Sequence, residues 1–182
     1  MNRMIRTVVL GGLLLAGGGT QAQESKPQAP APQVVRLLRA AGAVAYAHKP
    51  AYGSGIQDLY LGYNAEGAIV VGLAARVTKT YKESSVLLAV TPEGDAFKVA
   101  AAEIPDVETF HGKSKDLAQS ALKDITGKLF RDEKAARGLV DAVTGATKYY
   151  QAIYVSGAQM AAKLIEEIKA RPDWPRSPLP AQ

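Results

Sequence analysis

The strongest constraint on this chain is a change in the period of its apolar residues near the middle of the sequence. Asp58 to Ala65, Ala68 to Thr80, Ser84 to Thr91 and Ala96 to Ala102 are short runs rich in valine, isoleucine, leucine and tyrosine. That composition suits strands on a pleated, part-buried surface. Asn64-Ala65-Glu66-Gly67 and Pro92-Glu93-Gly94-Asp95 supply tight reversals between them, with glycine free to take the positive φ such turns use. The spacing then becomes helical. In residues 115–130, Leu117, Ala121, Ile125 and Leu129 recur every fourth position. After residue 147, Tyr150, Ile153, Gly157, Met160, Leu164 and Ile168 line one helix face, with Lys163, Glu166, Glu167 and Lys169 elsewhere. A shorter helix-like face precedes the strands, with Val34, Val35, Leu37 and Leu38 in residues 34–42. Strands joined by short turns pair as an antiparallel meander, and strands followed by helices predict an α+β fold.

The flanks have different compositions. Arg3 and Arg6 form a basic n-region, Thr7 to Ala16 an apolar h-region, and Thr20-Gln21-Ala22 a small-residue exit. That order of parts is expected of a secretory signal peptide over residues 1–22, cleaved after Ala22. The apolar run is too short and glycine-rich to anchor the mature chain in a bilayer, and no cysteine follows it to carry a lipid. Residues 23–33 are polar and proline-rich, as in an extended linker. Residues 171–182 carry four prolines and are expected to form an irregular tail. Residues 34–170 between them are expected to form one domain.

Several function classes drop out on composition. With no cysteine there is no disulfide, thiolate metal site, iron–sulfur cluster or cysteine nucleophile. His48 and His111 are the two histidines, too few for a histidine-rich metal site. Removing residues 1–22 takes Arg3 and Arg6 and no acid, so the formal charge falls from +5 to +3. The remaining cations are scattered, with no aromatic-interleaved basic stripe, so nucleic acid is not an expected partner. A mild positive field suits an acidic protein partner better. Neither a G-x-S-x-G elbow nor an H-E-x-x-H pair is present to suggest a hydrolase.

Asp141-Ala142-Val143-Thr144-Gly145-Ala146-Thr147 lies where a turn should enter the long C-terminal helix. Such a helix start offers unpaired N–H groups and about half a positive charge, which favour a phosphate. Gly145 allows close approach of the backbone, and Thr144 or Thr147 is placed to cap the helix. Two readings of the turn stand side by side, a phosphate cradle containing a hydroxyl and a structural cap.

This run resembles the D-x-x-[ST]-G-A-T signature of the FMN-binding domain family. That family includes the C and G subunits of the sodium-translocating NADH:quinone oxidoreductase and their Rnf relatives. The similarity extends over roughly residues 56–169. It implies that residues 34–170 are an FMN-binding domain and that Thr147 carries FMN through a phosphoester. It also implies a partner, a flavin transferase using FAD and magnesium, with the Thr147 hydroxyl attacking the FAD pyrophosphate and AMP leaving. The chain departs from its relatives in following the signature with Lys148-Tyr149-Tyr150 rather than small hydroxyl residues. Glu108-Thr109-Phe110-His111-Gly112 partly matches the E-T-P-G loop of relatives, with Phe110 in place of proline. The resemblance thereby brings Glu108 and Thr109 into the cofactor-binding set with Asp141, Thr144, Gly145, Ala146, Thr147 and Lys148. With a cleavable signal in place of a membrane anchor, it implies a free-standing periplasmic carrier that meets redox partner proteins in the cell envelope.

Each residue also has a plainer role open to it. Asp141 either positions the acceptor or accepts backbone hydrogen bonds in the turn. Thr144 either touches phosphate or caps the helix, and Lys148 either pairs with phosphate or is solvated. Tyr149 and Tyr150 either stack on the isoalloxazine or join the core, which the helical spacing favours for Tyr150. His111 is either a flavin contact or a loop residue. Under the plainer set of roles, the protein is a non-redox binding or structural module in which T-G-A-T is only a helix cap. The export reading has a direct check: the protein in the periplasmic fraction should begin at Gln23, and an intact Met1 terminus confined to the cytosol would refute it.

Overall fold

A computed structural model describes residues 29–79, 83–139 and 148–181. Helix α1 (Pro32–Ala40) precedes β1 (Ala45–Gly53), β2 (Ile56–Tyr63), β3 (Ile69–Lys79), β4 (Glu83–Glu93) and β5 (Ala96–Glu103). A single 3-10 turn at Val107–Thr109 leads to α2 (Lys113–Ile125), β6 (Leu129–Phe130) and α3 (Glu133–Gly138). Helix α4 (Lys148–Ala170) and the short β7 (Arg176–Pro178) complete the order. The strands form one sheet in the order β6-β5-β4-β3-β2-β1-β7, and every neighbouring pair is antiparallel. The α+β fold expected from the change of period is present, with helices following an antiparallel meander.

Both faces of the sheet are covered, which explains why β4 reads as a nearly continuous apolar run. Val86, Leu88 and Val90 join Leu59, Leu61 and Val99 in a core shared with α2, α3 and α4. Leu87 and Ala89 point the other way, with Tyr60, Val71 and Leu73, into a smaller core under α1. Helix α1 contributes Val34, Leu37 and Leu38 to that face, an i, i+3, i+4 set on one side of a short helix. Strand residues at odd and even positions thus bury into different layers.

Helix α4 packs across the sheet with a broad apolar surface. Ile153, Gly157, Met160, Leu164 and Ile168 are buried as the helical period requires, and so are Tyr154, Ala158, Ala161, Ala162 and Ile165. The wider face arises because α2 and α3 flank α4 while β3 and β4 lie beneath it. Close approach depends on two missing side chains. A Cβ at Gly72 would sit 3.0 Å from Leu164 Cδ2, and one at Gly157 would sit 2.5 Å from Ile125 Cδ1.

Several boundaries differ from the sequence expectation. The helical run expected over 115–130 stops at Ile125, and Leu129 is 58 % exposed rather than on the buried face. Gly127 takes φ +82°, its N–H donates to the Val99 carbonyl at 2.8 Å, and Val99 N–H donates to Lys128 at 2.9 Å. The backbone there satisfies itself on β5, and a further helical turn would lose those bonds. The buried stripe of α2 is Ala118, Ala121, Leu122 and Ile125. The expected linker gives up Pro32 and Gln33 to the first turn of α1, where proline costs nothing because its N–H would be unpaired. The tail expected to be irregular contains β7, which pairs Arg176–Pro178 with Ala45–Ala47. Proline is tolerated in β7 because it is an edge strand. Strand β1 escaped notice because its outer half, Lys49 to Gly53, is exposed or half-exposed and includes Pro50.

Leu164 is fully buried at the centre of the α4–sheet contact. Leu164→Ala should destabilise by about 2–5 kcal/mol in chemical denaturation, while Leu129→Ala on the exposed end of β6 should change stability by less than about 0.5 kcal/mol.

Candidate functional site

Asp141, Thr144, Gly145, Ala146 and Thr147 lie outside the described residues, as do residues 1–22, expected to form a signal peptide, and residues 80–82. The structure describes what flanks the signature. On one side Leu139 packs against the main core after α3, whose N-terminus is capped by Asp132 accepting from the Ala135 N–H at 2.9 Å. On the other side α4 opens at Lys148, the residue directly after Thr147. Lys148 is exposed at this helix start.

The first turn of α4 is held by aromatic contacts. Tyr149 meets Phe110 edge-to-face, with ring centroids 6.1 Å apart and planes at 77°. Such a geometry places the positive ring edge on the negative ring face. Phe110 is 5 % exposed and follows the 3-10 turn directly. The loop of Glu108 to Gly112 is thereby brought against the start of the helix that follows the signature. Phe110 is the loop's buried anchor.

Within that loop the polar side chains have local partners. Thr109 Oγ1 donates to the Asp106 carbonyl at 2.7 Å, which tightens the 3-10 turn. Lys115 donates to the Glu108 carboxylate at 2.5 Å, tying the loop to the first turn of α2. Glu108 itself and His111 are exposed. These contacts shape the loop, and Phe110 joins it to α4.

Tyr150 sits at the rim of the core rather than within it. It is half-buried, stacks on Tyr154 at 5.7 Å, and donates from its hydroxyl to Asp124 at 2.6 Å. Burial, and then the Asp124 carboxylate that accepts this bond, push its phenol well above the ordinary tyrosine value. One ring face is occupied by Tyr154, so the first wholly buried positions of the stripe are Ile153 and Tyr154. Asp124 went unremarked in the sequence because nothing local links it to a residue on another helix.

A helix start and an exposed cation attract an anionic group. A cation and a helix start adjoin the signature, and an aromatic pair stands beside them. Among the described residues, no group of three or more histidines and carboxylates could hold a metal ion. The second histidine has a structural setting on β1. His48 Nε2 is 2.8 Å from Asp58 Oδ1, and its ring stacks on Tyr60 at 4.3 Å, fastening β1 to β2. Among the described residues no helix is long and apolar enough to cross a membrane. No family model, curated protein or solved structure was found to match the chain.

The tyrosines give a pH signature. Burial raises Tyr60 to about 12, with the Asp58 charge adding to it, and Tyr52 rises through burial and its bond to Glu167. The folded state therefore holds these phenolic protons more tightly than the unfolded chain. Their contribution is complete below the ordinary tyrosine value of 10.0 and is lost as pH rises above it. Denaturation midpoints should fall over that alkaline range. Tyr150→Phe should cost about 1 kcal/mol at neutral pH through the lost Asp124 bond and flatten part of the alkaline decline.

Proposed function

We propose that this chain is an exported electron carrier with FMN attached covalently through a phosphoester to Thr147. The observation that carries this reading is the run Asp141 to Thr147, a full D-x-x-T-G-A-T, ending one residue before a helix of 23 residues. A helix of that length presents unpaired N–H groups and a partial positive charge at its start. Exposed Lys148 adds a full charge beside them. The packing of Phe110 on Tyr149 supports the same location, because it joins the Glu108–Gly112 loop to that helix start.

The roles follow from residue chemistry. Thr147 supplies the hydroxyl that accepts the phosphoryl group, Asp141 and Thr144 position it, and Gly145 and Ala146 keep the turn open to the incoming phosphate. Lys148 balances phosphate charge. FMN, when bound, supplies the redox chemistry, so the polypeptide needs no acid–base pair of its own. Attachment requires a flavin transferase using FAD and magnesium. A covalent tether suits a periplasmic protein, from which a dissociated flavin would diffuse away. The mature charge of +3 favours encounter with acidic redox partners in the cell envelope.

The test is co-expression with a flavin transferase followed by peptide mapping. Unmodified sequence should yield flavin fluorescence that stays with the denatured polypeptide and maps to Thr147. Thr147→Val keeps the shape and removes the nucleophile, so covalent flavin should vanish while the melting curve is retained. Thr144→Val should lower modification only partly. Covalent FMN persisting in Thr147→Val, or mapping to Thr144, would assign the wrong acceptor. No covalent flavin at all would favour the module in which T-G-A-T is only a cap.

A further inference from the structure

The C-terminal end of α4 faces a second feature, about 34 Å along the helix from the signature at 1.5 Å per residue. A cavity of about 770 Å³ opens there between the β2–β3 and β4–β5 turns, the end of α4 and β7. Its size falls within the range of small-molecule sites. Ile69, Phe97 and Ile168 give it an apolar wall, and its charged lining consists of Lys169, Arg171 and Arg176 with no carboxylate.

Three observations set this cavity apart from ordinary surface relief. Lys169 reaches Glu133 at 3.2 Å, but Arg171 and Arg176 form no ion pair among the described residues. The Arg176 guanidinium lies 4.0 Å over the ring of Tyr63, a cation–π contact that holds it at the cavity. Tyr63 is 2 % exposed and belongs to the main core, so the ring beneath Arg176 is fixed at the cavity. Arg171 adopts φ +48° where its N–H closes α4 on the Glu167 carbonyl at 3.0 Å. Glycine is the usual residue at that left-handed position. An arginine there accepts backbone strain and places a free guanidinium at the cavity.

We propose that this cavity binds a small organic anion with a flat apolar body. The body lies against Ile69, Phe97 and Ile168. A carboxylate, sulfonate or phosphate group pairs with Arg171 and Arg176. The site does not depend on flavin at Thr147, since α4 separates the two along its length.

The test uses anilinonaphthalene sulfonate, an aromatic anion of suitable size, titrated into the mature protein by fluorescence. Saturable one-to-one binding to the folded protein is expected. The uncharged phenylnaphthylamine should bind at least about tenfold more weakly. Arg171→Gly should bind the sulfonate at least about tenfold more weakly while melting no lower than the parent, because glycine relieves the positive φ. Arg176→Gln should weaken it similarly. Arg76→Gln with Lys163→Gln, at a separate basic cleft of α4, should leave affinity unchanged, as should Thr147→Val. Absence of saturable binding, unchanged affinity in Arg171→Gly, or equal loss in the Arg76 and Lys163 variant would overturn the proposal.

Discussion

The seating of α4 on the sheet is the contact on which the rest of the structure depends. Gly72 removes the side chain that would hold helix and sheet apart, Gly157 removes the one that would meet Ile125 of α2, and Met160, Leu164 and Ile165 fill the space with no exposure to solvent. Protein interiors pack as densely as organic crystals, so a contact this close transmits small changes in shape. Helices α2 and α3 then pack against α4, and Ile125 of α2 reaches under Gly157. Moving α4 outward would open the main core along nearly all of its strands.

Fixing α4 also fixes two distant chemical settings. Its first turn meets Phe110 through Tyr149 and Asp124 through Tyr150, and thereby carries the residue after the signature to a defined place. Its last turn ends at Arg171, beside the cavity lined by Tyr63 and Arg176. Polar bonds along the middle support the same seating. Arg76 on β3 donates to Gln159, Arg137 on α3 to Glu166, and Tyr52 on β1 to Glu167. These contacts are mostly surface-exposed, so they align the helix more than they stabilise it.

The sheet ends on both sides in very short strands. Central strands β2, β3 and β4 are long and covered on both faces. The outermost strands, β6 and β7, have two and three residues. They pair with only Phe97 and Lys98 of β5 and Ala45 to Ala47 of β1, so the outer half of β1, which includes Pro50, is itself edge. Proline at position 178 in β7 further limits pairing at that edge.

The four central strands, the α+β order and the stripe of α4 were legible in the sequence, because period-2 and period-3.6 burial leave direct marks on residue order. The D-x-x-T-G-A-T run was legible for the same reason: its chemistry lies in consecutive residues. Local pattern could not show that Phe110 would meet Tyr149, or that Tyr63, Arg171 and Arg176 would line one cavity, since each set is far apart along the chain. Nor could it place β1 and β7, whose Pro50 and Pro178 read as loop residues until edge positions in a sheet made them tolerable. Leu129 shows the converse, an apolar residue that fits the helical spacing yet lies on an exposed strand. There the backbone bonds that join Gly127 and Lys128 to Val99 outweighed one more buried leucine, a choice only the neighbouring strand could decide.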